Sequence, residues 1–245
     1  MNSQRTAAIR ALIASTALLV AQSALEAGFY VSEVATPGSL GTAGVANPVN
    51  TVSADSSWTN PAGMTGLEND EVLAGMQLLV PKIEFDSSVA EAGGSDGGNA
   101  GNLAAIPAFF MVKKLNDRVR LGFSLVAPQG GAMSYGDDFV GRYGASKVSL
   151  TAIGGSPSIA YKVNDRLSLG AGVSIIHTTF EESIAINQSA LVPGPAVPDG
   201  KVKFDNMTDL GYQPFLGLTY DLSDSLMLGV VYRAEMDVNL EGDLN

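Results

Sequence analysis

The chain has 245 residues, with 14 Lys+Arg against 25 Asp+Glu, no Cys and a single His. Charged residues make up only 16% and apolar ones 46%, which excludes a disordered chain. A formal charge of −11 excludes nucleic-acid binding, because no basic stripe exists to neutralise phosphates. Without Cys and with His177 alone there is no disulfide framework, no thiolate or His-rich metal site and no Cys nucleophile, so neither an enzyme, a metal nor a cofactor is expected.

Arg5 and Arg10 form a basic start, residues 11–21 are apolar, and residues 24–27 are rich in small side chains. This predicts a secretory signal peptide over 1–27, its apolar run too short to span a bilayer as a helix. No later window is apolar for the ~18 residues a helical span requires, so the protein reads as exported. Residues 28–70 cluster Gly, Pro, Ser, Thr and Asn without sustained period, yet Leu40, Trp58, Met64 and Leu67 recur. A compact irregular segment is expected there.

From residue 71 the pattern becomes strand-like, over 71–86, 103–115, 118–128, 147–163, 166–187, 201–221 and 225–241. Short turns fall at 115–118, 163–166 and 221–225, and two of them read Asn-Asp-Arg. Long Gly- or Pro-rich loops fall between, at 87–102, 129–146 and 188–200. Short turns at one end and long loops at the other is the organisation of an outer-membrane β-barrel. Side chains alternate accordingly: Leu167, Leu169, Ala171, Val173 and Ile175 oppose Ser168, Gly170, Gly172 and Ser174. Likewise Leu226, Leu228, Val230, Tyr232, Ala234 and Met236 oppose Gly229, Arg233, Glu235 and Asp237. In a barrel the apolar set faces lipid; in a secreted β-sandwich adhesin or structural protein it faces the core. Segments longer than sandwich strands, with Tyr161 and Tyr220 just before short turns, favour the barrel. Seven strands are an odd number, so the expected fold is all-β, the N-terminal half of a larger transmembrane antiparallel barrel over 71–245.

The run Ala27-Gly28-Phe29-Tyr30, then Ser39 to Gly44, then Trp58-Thr59-Asn60-Pro61-Ala62-Gly63-Met64 resembles the FadL family of outer-membrane transporters. Phe139-Val140-Gly141-Arg142-Tyr143, Pro157 to Tyr161, Leu167 to Gly172, and Tyr232-Arg233 with Glu241-Gly242-Asp243 extend the resemblance in order along the chain. The resemblance implies passive uptake of long-chain fatty acids or other hydrophobic small molecules in the Gram-negative outer membrane. The full-length protein would be a monomer in outer-membrane lipid, with about fourteen strands. It implies further that residues 28–70 form a hatch inside the barrel. Ligand would displace that hatch and leave sideways through a gap at a kinked third strand. A general diffusion porin is the alternative, and it leaves the 28–70 segment unexplained.

On this reading Asn60, Pro61, Ala62 and Gly63 belong to the hatch, although Asn-Pro and Gly also make ordinary turns. Arg142 and Tyr143 fall in an extracellular loop, holding it in place or meeting a carboxylate. Ile176 and Phe180 fall on the lumen side of the fifth strand and are candidates for an apolar pocket wall, with Arg233 the lumen cation. A register change after Ile175 would instead turn the first two toward lipid. An ion-pair ladder with Glu235 and Asp237 is the plainer role for Arg233. Thr178, Thr179, Glu181 and Glu182 supply no cation nearby, which leaves neutral hydrocarbons open as ligands beside fatty acids. The glycine-rich stretch 93–99 has the composition of a calcium turn but occurs once, and reads as a loop.

Overall fold

A computed structural model describes residues 34–87, 93–187 and 198–244. The expected signal peptide and residues 28–33 lie outside the described residues. The irregular segment contains two short helices, α1 (Pro37–Gly41) and α2 (Ser56–Thr59), and 3-10 turns at Asn47–Val49 and Pro61–Gly66. Prolines and asparagines open three of these four elements: Pro37 stands at a first helical position, Asn47 and Pro48 begin the first 3-10 turn, and the Asn60 side chain caps the Ala62 amide ahead of the second.

The strands follow as β1 (Glu71–Leu79), β2 (Ala104–Lys114), β3 (Val119–Ser134), β4 (Lys147–Lys162), β5 (Leu167–Ile186), β6 (Gly200–Ser223), β7 (Leu226–Arg233) and β8 (Glu241–Leu244). They form one curled antiparallel meander in the order β1 to β7, with β8 also on β6. β8 continues the register of β7 along β6, so the two are one strand interrupted at 234–240. Seven places in the sheet are therefore filled, as the sequence pattern predicts. Both Asn-Asp-Arg turns use one device: Asn116 Oδ1 accepts from the Arg118 and Val119 amides, and Asn164 Oδ1 from those of Arg166 and Leu167.

The faces are reversed relative to a soluble sandwich. Leu121, Phe123, Leu125, Ile153, Ile159, Leu169, Ile175, Leu216, Leu228 and Val230 are exposed on the outer face. Ser124, Ser156, Ser158, Ser168, Ser174 and Thr219 are buried on the inner one. The only apolar solvent such a face fits is lipid, so the sandwich alternative falls. Buried apolar side chains instead gather where the N-terminal segment meets the inner face: Val34, Ala54, Trp58, Met64 and Leu67 against Phe110, Val112, Val126 and Ala160.

Two strands depart from the predicted spans. β3 does not end at Pro128 but runs to Ser134, its pairing with β4 shifting register between Val126 and Gln129. Pro128 lacks the N–H a regular ladder needs, and the extra residue absorbs it as a bulge. β7 stops at Arg233 rather than 241, and residues 234–240 leave the ladder. Met236, expected among the lipid-facing side chains, turns in over Gly211 of β6.

Candidate functional site

The N-terminal segment is organised around one buried carboxylate. Asp55 Oδ2 accepts from Thr36 Oγ1 at 2.6 Å, and Oδ1 accepts from Asn50 Nδ2 at 2.5 Å and from Ser53 Oγ. The three donors satisfy a carboxylate that is 1% exposed, and they tie together the two halves of the segment. Asn60 then fixes the segment to the wall: its Nδ2 donates to Pro48 O at 2.6 Å and to Leu218 O of β6 at 3.1 Å. Pro61 and Ala62 lie flat on β5 and β6 because the facing residues are Gly170 and Gly217. A Cβ at Gly170 would stand 2.4 Å from the Ala62 nitrogen, and one at Gly217 2.1 Å from Asn60 Oδ1. At the short-turn end, Arg120 Nε donates to Leu67 O at 2.9 Å.

The registers stack the inward residues of β4, β5 and β6 in levels. Reading from the short turns outward, Ala160, Gly170 and Gly217 carry Pro61 and Ala62, and Ser158, Gly172 and Phe215 meet α2. Next comes a polar level of Ser174 and Gln213, then Gly154, Ile176 and Gly211, and two levels further Leu150, Phe180 and Met207. Ile176 is 3% exposed, lying over Gly154, while Met236 covers Gly211. No register change intervenes between Ile175 and Phe180: β4 and β5 pair regularly through Ser183, and the pairing of β5 with β6 shifts only beyond Phe180. Ile176 and Phe180 thus face inward together, with Leu150, Met207 and Met236 beside them. The last three escaped sequence reasoning, Met236 because a strand was expected where the chain breaks away.

Arg233 faces inward too, but lies two levels nearer the short turns. It is the register partner of Phe215. Its guanidinium sits 4.1 Å from the Trp58 ring centroid and 4.7 Å from that of Phe215, and it donates to the Trp58 carbonyl. β7 ends at Arg233, so Glu235 and Asp237, expected to share its face in an ion-pair ladder between strands, lie beyond the strand.

β2 and β3 separate partway along. Their ladder ends at Phe109 and Leu125, although β2 continues back to Ala104 on its β1 side and β3 runs on to Ser134. Gly101 and Met133 bridge the strands again further out. The cleft between is lined by Ile106, Pro107, Ala108, Val126, Ala127 and Pro128, and Val34 and Ala35 line it from within. Proline at two of these positions removes donors that an interrupted ladder would strand in lipid.

At the long-loop end, Arg142 joins three loops. Its Nε donates to Asp199 Oδ2 at 2.8 Å, Nη1 to Gly93 O at 2.9 Å and Phe139 O at 3.1 Å, and Nη2 to Tyr143 Oη. Tyr143 Oη donates to Asp199 as well. The Arg142 hydrogen bond, then that from Tyr143, holds the Asp199 carboxyl below its ordinary range. Phe139 stacks on Tyr135 with centroids 4.1 Å apart. In the glycine-rich loop, Asn99 Oδ1 accepts from the Ile83 and Gly101 amides and Asp96 Oδ1 from that of Ser87, which is loop-closing chemistry.

Comparison with known proteins agrees with this geometry. The family described as "Outer membrane protein transport protein (OMPP1/FadL/TodX)" matches residues 17–245. The chain is 25% identical to the long-chain fatty acid transport protein of Escherichia coli O6:H1 (strain CFT073), covering 98% of this chain and 57% of that protein. It is 29% identical to the 47 kDa outer membrane protein of Pasteurella multocida, over 94% and 55% of the two chains. The chain thus spans little more than half the length of these relatives. Among solved structures, a Pseudomonas aeruginosa FadL homologue superposes with a TM-score of 0.71 at 26% identity, over 86% of this chain and 53% of that one. The monoaromatic hydrocarbon channel CymD shares the fold at a TM-score of 0.61 and 20% identity, over 89% and 57%. A plug-like segment inside an inside-out meander, matched over nearly its whole length, leaves one assignment: this chain belongs to the FadL/TodX family of outer-membrane transport proteins.

Proposed function

We propose that this chain supplies the plug and the first seven wall strands of a channel for passive uptake of hydrophobic small molecules. One observation carries the reading. The inward patch of Leu150, Ile176, Phe180, Met207 and Met236 lies outside the plug, toward the long loops, and Val126 in the cleft between β2 and β3 pairs with Gly154 beside Ile176. Ligand enters past the loops held by Arg142 and Tyr143, rests on the apolar patch, and leaves sideways into the outer membrane once Val34 and Ala35 move from the cleft. Each CH₂ taken from water onto such a patch gains about 0.8 kcal/mol, enough to concentrate a hydrocarbon there without covalent chemistry. Residues 34–67 keep the lumen shut to polar solutes, with Asn60 to Gly63 as their anchor.

Relatives with this fold carry names of fatty-acid and monoaromatic-hydrocarbon channels. On this wall, Asp209 and Glu182 share the inward face with the apolar patch, and the cation Arg233 is engaged deeper with Trp58. An uncharged hydrocarbon therefore meets less repulsion than a carboxylate. The test is uptake of labelled toluene and oleate by cells lacking their own transporter and expressing the complete gene product. Faster entry of toluene is expected, reduced severalfold by Ile176→Asp. Equal entry with and without the protein, for both compounds, would overturn the assignment.

A further inference from the structure

We propose that Arg233 is the clasp that fixes the plug to the wall, acting as a positioning residue on Trp58. The inference rests on reading residues 34–67 as a plug. Phe215 and Arg233 stand opposite each other on β6 and β7. The Phe215 ring lies over Gly172 of β5, where a Cβ would come within 2.3 Å of it, so the ring packs against the wall and is fully buried. Trp58, 4% exposed, meets Phe215 at a centroid separation of 6.4 Å and a 56° tilt. The guanidinium reaches both rings and the Trp58 carbonyl at once. A planar cation on two ring faces with a charge-assisted hydrogen bond ties the wall to α2.

Its position gives it a further consequence. The clasp occupies the outermost level at which plug meets β6, one polar level below Ile176. It is also the last residue of β7, where the strand leaves the sheet and sends Met236 over Gly211 beside Ile176. The backbone that carries the clasp thus also carries a side chain of the ligand-facing patch, three residues on. A ligand that lifts Met236 pulls on the 234–240 segment, whose anchors to the wall are the Ala234 amide on Pro214 O, Gln213 Nε2 on Ala234 O and the Asn239 amide on Asp209. Displacement there withdraws the guanidinium from Trp58 and frees the plug.

The experiment uses the complete gene product refolded in detergent, with Ser57→Cys as its thiol; this chain supplies no other. Ser57 is fully buried and its Cβ packs against Gly122 of β3, so maleimide reaches it only when the plug leaves the wall. Arg233→Gln is expected to raise the labelling rate about tenfold, and Arg233→Lys less, since lysine keeps charge without the planar fork. Trp58→Leu, which removes the ring but keeps the carbonyl, should raise the rate too, and the two substitutions together should fall short of the product of their separate effects. Rates within about twofold of the parent for both Arg233 variants, or effects that multiply in the double variant, would overturn the clasp. Should Arg233→Gln lose its heat-modifiable migration, Arg233→Lys and Phe215→Leu carry the comparison. Labelling needs no ligand, so failure of toluene uptake leaves this result standing. A parent thiol that labels as fast as an exposed one would instead sink the plug reading itself.

Discussion

At the scale of single residues, the segment inside the sheet depends on groups that are small or fully satisfied. Gly217 is the sharper case: its missing side chain leaves the space that Asn60 Oδ1 and Pro61 occupy. Gly217→Ala should cost about 1–3 kcal/mol of seating energy, as overpacking does elsewhere. Protease should then cut within residues 34–67 faster while the strands stay protected. Gly130→Ala is the matched control, its nearest neighbour being 3.4 Å away. Asp55 is the other case. Asp55→Ala strands the buried Thr36 hydroxyl donor, about 1–3 kcal/mol where water cannot reach, and takes one acceptor from the half-buried Asn50. The same protease assay should find this variant more open than Asp55→Asn. The Asn60–Gly63 motif is legible in the sequence as turn chemistry and by resemblance. Asp55 is not, because an acid among serines reads as a solvated turn until Thr36, 19 positions away, is seen to reach it.

At the scale of elements, alternation predicts where strands lie but not where they slip. β4 and β5 follow the period closely, since each alternate residue has one solvent, lipid or lumen, and β6 does so up to its own bulge at Asp205 and Asn206. The bulge in β3 and the break after Arg233 obey no such pattern; they are settled by neighbours, Pro128 against β4 and Met236 against Gly211. The long-loop end adds an electrostatic element outside the membrane. Asp199 is held below its ordinary range by Arg142 and Tyr143, so its contribution is complete above the usual carboxylate pKa and is lost as pH falls through the lowered value. Loop proteolysis should stay slow from pH 7 down to about 4 and accelerate only below that. Asp199→Asn should remove the acid-dependent part and be cut faster already at pH 7. A rate flat in pH for the parent would show that the pair does not hold the loops.

At the scale of the whole molecule, the proposed passage of an apolar solute and its proposed sideways exit rest on the inside-out faces and on the separation of β2 and β3. The sheet described here has an unpaired outer edge on β1 and another on β7, which a bilayer leaves unsatisfied. The 245 residues refolded alone in detergent should therefore migrate alike before and after heating, whereas the gene product that closes the sheet should shift. A shift by the 245 residues alone would mean that the edges close on each other or on a second copy.

The sequence alone determines the export signal as an expectation, the strand number, and the short-turn and long-loop ends; it points Ile176 and Phe180 inward only if the register holds past Ile175, which the pairing of β4 with β5 decides. All of these are local or period-two properties, and a chain facing one medium on each side must display them. Tertiary structure decides which face is lipid, because alternation is the same for a sandwich and only exposure of the apolar set separates the two. It also decides the gap between β2 and β3, the carboxylate hub at Asp55 and the meeting of Trp58, Phe215 and Arg233. The hub depends on Thr36 reaching Asp55 across 19 positions and the ring cluster on Arg233 meeting Trp58 across 175, and no local pattern records a contact that the folding of the sheet creates.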